Sequence, residues 1–401
     1  MADISTTLIH HPYVPPDGFE APQPGVFKAS TVFFPTVAAM RQRDWQDRSA
    51  FTYGLHGTPT TYLLEQRLCS LEGGTHCVLL PSGLAALALV ALALLKAGEE
   101  VLLPDNAYSN NKPLFDAEFK DWGITYQIYD PMDAADLKAK ITARTRLVWL
   151  EAAGSVTLEF PDLVAMVQLC KEHGVPVALD NTWGAGLAFN PFDLLPDSQP
   201  GLGVDISAHA LTKYPSGGGD VLMGSVMTRD TALHARLQRT HMRLGFAVGA
   251  NDAEAVLRAL PSIALRYRAH DAAARALAVW CQSQAPFVQV LHPALPGSPG
   301  HAHWRAVCKA EAGGAAGLFS VVIAPHVAQA KVDAFCEALQ CFRIGWSWGG
   351  PVSLVVPYHL ASMRTVWPTH IAKGTVVRFA VGLEAVQDLQ ADLAQALHIL
   401  A

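Results

Sequence analysis

Short apolar runs alternate along this chain with longer stretches in which apolar residues recur at helical spacing. From about Thr58 to Asp252 the runs Val101-Leu-Leu103, Leu147-Val-Trp-Leu150 and Val175-Pro-Val-Ala-Leu179 are separated by helical segments. That alternation predicts a mainly parallel sheet with crossover helices. The most apolar run, Leu84 to Leu95, stops at Lys96 and Gly98. It falls short of the ~20 residues that span a bilayer, so it is read as a buried helix. Between Asn251 and Trp280 an Ala- and Leu-rich pattern predicts one long helix. A Pro- and Gly-rich loop at 292–300 follows, and then a mixed pattern to Ala401 that suits a smaller α+β domain. Residues 1–57 are rich in Pro, Thr and aromatics with little periodicity, and read as an extended arm that packs on something else. The expected division is therefore an arm at 1–57 for subunit contacts, a first domain at 58–252 and a second at 253–401. A chain of 401 residues exceeds the usual single core.

Composition narrows the function classes. A hydrophobic fraction of 51% suggests more buried surface than a monomer needs, and hence an oligomer. The balance of 29 Lys plus Arg against 35 Asp plus Glu, with no basic cluster, argues against nucleic acid as a partner. The start MADISTTLIHH has neither the basic nor the apolar segment of a secretory signal, so a cytoplasmic protein is expected, with no membrane partner. Seven scattered cysteines without a CxxC pair read as reduced core thiols. His10-His11 and His301-Ala-His303 are isolated pairs, so no metal site is expected. No G-x-G-x-x-G opens a helix after a strand, which argues against a nucleotide-binding oxidoreductase.

Within this frame a few polar residues stand out. Asp180 ends the run VPVALD, at the carboxyl edge of a predicted parallel strand where open α/β sheets bind ligands; an aspartate capping the next turn is the alternative. Lys213, in HALTKYPSGGGD, sits between an apolar run and three glycines. An amine held in an apolar pocket has a depressed pKa and can attack an aldehyde or carry a proton; a lysine snorkelling from a strand end is the competing explanation. Ser82-Gly83 opens the 84–95 helix, where free N–H groups suit a phosphate or are simply capped. Tyr108 follows the strand Val101-Leu-Leu103 at the same edge, with a ring available for stacking or for the core. Arg378, flanked by apolar residues, is a buried guanidinium that needs a carboxylate, from a ligand or from Glu384.

These segments resemble the pyridoxal-phosphate enzymes of cysteine and methionine metabolism, and within them the bacterial cystathionine β-lyase branch. The resemblance runs through Tyr53-Gly-Leu-His-Gly-Thr-Pro-Thr60, Leu71-Glu-Gly-Gly74, Pro81-Ser-Gly83, Asp180-Asn-Thr-Trp183, Thr212-Lys-Tyr214, His292 to Ser298, Trp346-Ser-Trp-Gly-Gly350 and Arg378 to Glu384. It implies fold type I, with a large cofactor domain, a small C-terminal domain and an N-terminal arm, in a homotetramer whose subunits share active sites. It also implies roles. Lys213 binds the pyridoxal 5'-phosphate aldehyde and moves protons, Asp180 pairs with the pyridine nitrogen, and Tyr108 stacks on the ring. Gly83, Leu84 and Thr212 hold the phosphate, with Tyr53 reaching across from the neighbouring subunit. Arg378, Ser347 and Trp348, with Tyr53, receive the amino-acid substrate. The implied reaction is β-elimination of cystathionine to homocysteine, pyruvate and ammonia in methionine biosynthesis. The alternatives are a γ-lyase or γ-synthase, a general cysteine S-conjugate β-lyase, or a non-catalytic relative that binds a partner protein.

The chain departs from the pattern in three places. Leu55 stands where the family usually has a phosphate-binding arginine, with His56 beside it as a partial substitute. Ala210 replaces a common serine three residues before the lysine. Pro351-Val-Ser353 replaces the usual Tyr-Glu-Ser, where the distal end of a substrate could lie.

Overall fold

The computed structural model describes residues 3–19, 21–308 and 313–401. The first sheet has seven strands: β1 (His76–Leu80), β2 (Glu100–Pro104), β3 (Thr125–Tyr129), β4 (Thr145–Glu151), β5 (Val177–Asp180), β6 (Ile206–His209) and β7 (Gly224–Thr228). Their spatial order is β1-β7-β6-β5-β4-β2-β3, and β7 alone runs antiparallel to its neighbours. The runs predicted from apolar residues at 101–103, 147–150 and 175–179 fall on β2, β4 and β5. These strands are buried on both sides, which is why they read as continuous apolar runs. Helix Gly83–Leu94 covers one face through Leu87 and Val90. Helices Pro59–Glu72 and Leu163–Glu172 cover the other through Leu68 and Met166.

The second sheet holds β8 (Phe287–Leu291), β9 (Leu318–Ile323), β10 (Arg343–Ile344), β11 (Leu354–Tyr358) and β12 (Thr375–Ala380), in the order β10-β11-β12-β9-β8. Its own core joins Phe319 and Phe379 to Leu277 of helix Ile263–Cys281 and Leu389 of helix Val386–Ala396. The single helix predicted between Asn251 and Trp280 is two, Ala250–Ala259 and Ile263–Cys281, joined by a 3-10 turn at Leu260–Ser262. Pro261 explains the break, because it lacks an N–H to continue the ladder and its ring crowds the preceding turn.

The segment 1–57 contains two short helices, Ile4–Ile9 and Val37–Gln42. Leu8 of the first is fully buried, whereas Val14 and Phe33 are 96% and 92% exposed. No helix among the described residues is long and apolar enough to cross a membrane.

The parallel strands bring β2, β4, β5 and β6 to a common carboxyl edge. A buried carboxylate beneath that edge holds the last two in place. Glu72 accepts hydrogen bonds from Asn181 Nδ2 at 3.0 Å and Ser207 Oγ at 2.7 Å, and its other oxygen pairs with His209 Nδ1 at 2.7 Å. Burial alone would raise its pKa, yet the His209 charge and these hydrogen bonds override it and hold the carboxyl below its ordinary range. Glu72→Ala is therefore expected to lower the unfolding free energy by roughly 3–5 kcal/mol, since it strands three buried polar partners. With a folded pKa below the unfolded one, the contribution of Glu72 is full above the ordinary carboxylate pKa and is lost as pH falls. Denaturant midpoints at pH 7 check this, and a shift under 1 kcal/mol would contradict it.

Candidate active site

A cavity of about 820 Å³, its mouth included, opens at this carboxyl edge. That size suits a small-molecule site. At one end lies the start of helix Gly83–Leu94. Ser82 caps it by accepting from the Ala85 N–H at 3.0 Å, which leaves the N–H groups of Gly83 and Leu84 without intrahelical acceptors. Gly83 is required by packing: a Cβ there would lie 2.5 Å from the Ala210 Cβ. The Thr212 side chain lines the same end, where its hydroxyl also meets the backbone of Met223 at 3.2 and 3.3 Å.

Lys213 projects into the cavity. Its Nζ donates to Ser347 Oγ at 2.7 Å and lies 4.6 Å from the Trp348 ring centroid. Burial, reinforced by the Arg378 charge and only partly opposed by Asp180, pulls its pKa down to about 8. The apolar setting thus makes the amine a usable nucleophile and base near neutral pH. Ser347 reaches it from a positive-φ backbone, at φ 124.

Asp180 lines the cavity, and its Oδ1 accepts from the Thr182 N–H at 3.0 Å. Both readings of this residue therefore hold at once: it caps the next turn and it faces the ligand space. Burial raises its pKa, while the Thr182 hydrogen bonds and the nearby His209 and Lys213 lower it. Tyr108 lies on the wall between this cavity and a wider outer cleft.

Arg378, on β12, enters the outer cleft from the second sheet and is only 4% exposed. Its Nη1 donates to the Ser155 carbonyl at 3.1 Å, and its Nε has no partner among the described residues. Glu384, the internal carboxylate that could have neutralised it, instead accepts from the Ser353 N–H at 2.8 Å and Ser353 Oγ at 2.7 Å. The guanidinium lies 5.2 Å from the Trp348 ring and 5.3 Å from Tyr358. Trp348 is thus shared between Lys213 and Arg378.

The structure brings Lys213, Asp180, Tyr108, Gly83, Leu84, Thr212, Ser347, Trp348 and Arg378 to these two connected spaces. It does not bring Tyr53, which is 44% exposed and lines neither. His56 also lies outside both, hydrogen-bonded to Thr52 and packed on Trp45 and Tyr53. The sequence reading missed three cavity residues. Glu151 ends LVWLE just as Asp180 ends VALD, so the same strand-end signal could have found it. Thr182 and Ser155 left no signal, because each acts through its neighbours: Thr182 Oγ1 accepts from Ala210 N–H at 2.9 Å, and Ser155 offers its backbone.

The donor set fits pyridoxal phosphate. The amine suits its aldehyde, the carboxylate its pyridine nitrogen and the open helix start its phosphate. The unpaired guanidinium is then left for an amino-acid carboxylate.

The comparisons agree with this chemistry. Residues 5–398 match the family model described as Cys/Met metabolism PLP-dependent enzyme. A cystathionine beta-lyase of Bordetella avium is 38% identical over 98% of this chain and 96% of its own length. The cystathionine beta-lyase MetC of Escherichia coli is 33% identical over 91% of each. A cystathionine gamma synthase of Xanthomonas oryzae, solved in complex with aminoacrylate and cysteine, superposes with a TM-score of 0.87 at 27% identity, covering 100% of this chain and 99% of that one. A shared family over nearly the whole length, with a site of the matching chemistry, makes this chain a member of the Cys/Met metabolism PLP-dependent enzymes.

Proposed function

We propose that the protein is a carbon–sulfur β-lyase that cleaves cystathionine, with consumption of one water, to homocysteine, pyruvate and ammonia. The observation that carries this reading is the Trp348 ring set between two cations, 4.6 Å from the Lys213 amine and 5.2 Å from the Arg378 guanidinium. A base and a carboxylate anchor at that spacing suit a substrate whose Cα hydrogen and α-carboxylate must be addressed together. Two of the relatives named above are cystathionine beta-lyases by name, which supports the choice of substrate.

Bound in the inner cavity, pyridoxal phosphate supplies the electron sink that stabilises negative charge at Cα. The chain's residues do the rest. Asp180 keeps a proton on the pyridine nitrogen by charge complementarity. Arg378, lacking an internal anion, takes the α-carboxylate in a charge-assisted bond and fixes which Cα bond faces the amine. Lys213 removes the Cα proton and returns it to the sulfur as the Cβ–S bond breaks, with Ser347 orienting the amine. Tyr108 covers the ring, while Gly83, Leu84 and Thr212 hold the phosphate.

The same reading divides the chain into an arm at 1–57, a cofactor domain at 58–252 and a substrate domain at 253–401. It places the enzyme in the cytoplasm as a homotetramer in which Tyr53 completes a neighbour's phosphate site. The exposed Val14, Phe19 and Phe33 supply apolar surface for those contacts.

Incubation of the pyridoxal-phosphate-loaded protein with cystathionine is expected to give pyruvate; 2-oxobutyrate with no pyruvate would replace this reading by a γ-lyase. Arg378→Ala is expected to lower kcat/KM roughly 100-fold, in line with the loss of a charged hydrogen-bonded anchor, and a change under threefold would exclude the anchoring role. Lys213 should also reveal its depressed pKa during reconstitution. The rate at which apoprotein develops the visible band of bound cofactor should rise about tenfold per pH unit and level off near pH 8, since the free amine is the reactive form. A rate still rising at pH 10 would mark an ordinary exposed lysine.

A further inference from the structure

Glu151 has no assigned part in the reading above, yet it is 7% exposed and lines the inner cavity. It ends β4 as Asp180 ends β5, and the two are register partners on adjacent parallel strands. Its Oε2 accepts from the Tyr108 backbone N–H at 2.6 Å, and its Oε1 from the Ser155 N–H at 3.1 Å. Ser155 in turn gives its carbonyl oxygen to Arg378 Nη1 at 3.1 Å. One carboxyl group therefore links the loop that carries Tyr108, the loop that anchors Arg378, and the strand next to Asp180.

We propose that Glu151 is a positioning residue of this site: its two oxygens set the Tyr108 ring on one side and, through Ser155, the Arg378 guanidinium on the other. The inference rests on the pyridoxal-phosphate site described above and adds a control point to it.

The geometry gives Glu151 a function that ordinary strand packing does not require. Neither loop is held at these points by strand pairing, since β2 ends at Pro104 and β4 at Glu151 itself. A shared carboxyl makes the two loops move as one, so the cofactor-stacking ring and the substrate anchor keep a common frame. Burial and the Asp180 charge push Glu151 up to about 8. Two adjacent buried carboxyls resist joint ionisation, and burial raises the pKa of both.

The test is Glu151→Gln, which keeps the size of the side chain but opposes an amide N–H to one of the two backbone donors. Four quantities are read on wild type and variant, both loaded with pyridoxal phosphate: the visible circular-dichroism band of the cofactor, its dissociation constant, and kcat and KM for cystathionine. Positioning through Tyr108 and Arg378 is expected to alter the dichroism band, to weaken cofactor binding several-fold, and to raise KM roughly tenfold with a smaller change in kcat. An unchanged band with cofactor affinity and KM within twofold of wild type would overturn it. So would lower thermal stability with those three values intact, the mark of a purely structural residue. Should the glutamine variant not fold, Glu151→Asp, which withdraws the carboxyl by one methylene, is read against the same outcomes. Failure of the functional reading is distinguishable, because the wild-type protein itself would then form no pyruvate.

Discussion

An arginine buried without a carboxylate is the constraint around which this site is organised. Arg378 is almost wholly withdrawn from water, yet among the described residues it meets a backbone carbonyl and two aromatic faces and no carboxylate. Burial lowers its pKa, as the cost of an uncompensated cation requires. That charge reaches Lys213, where it adds to desolvation in lowering the pKa of the amine to about 8. A single unsatisfied cation therefore prepares the site for an anionic substrate and, at the same time, prepares the lysine for proton transfer. Neutralising Arg378 internally would have removed both effects.

The sheets make this arrangement affordable in geometric terms. Arg378 comes from β12 of the second sheet, whereas Lys213, Asp180 and Glu151 come from the carboxyl edge of the first. The two sheets share one apolar cluster, in which Leu102 and Val148 of the first join Val322 and Val376 of the second, while the outer face of the second sheet packs a separate core around Phe319 and Phe379. Beneath the first edge, Glu72 satisfies Asn181, Ser207 and His209 with one carboxylate. The hydrogen bonds to Glu72 fix this layer from below, while Arg378 above it keeps an Nε to which a ligand can bind.

Much of this was legible in the sequence. Apolar runs gave β2, β4 and β5 because strands buried on both faces have no polar alternation to obscure them. Asp180 and Lys213 stood out as charges closing or interrupting such runs. What stayed hidden depends on contacts between distant segments. Nothing near Arg378 in sequence indicates that Glu384 turns to Ser353, and nothing near Ser155 shows that its carbonyl receives Arg378. The break at Pro261 was in plain view, but the apolar periodicity continues across it, so the pattern concealed the proline.

The departures at Leu55 and Ala210 acquire a physical context from the same structure. The Cβ of Ala210 lies where any side chain on Gly83 would have to go, so this corner combines a glycine helix start with a small neighbour. Phosphate binding at such a corner relies on backbone N–H groups, whose geometry the helix fixes, and less on side-chain charge. His56, engaged with Thr52 and Trp45, is not free to replace a cation from its present position. In a site with fewer phosphate ligands, the frame that orients the cofactor ring carries more of the binding, and Glu151 lies at the junction of that frame.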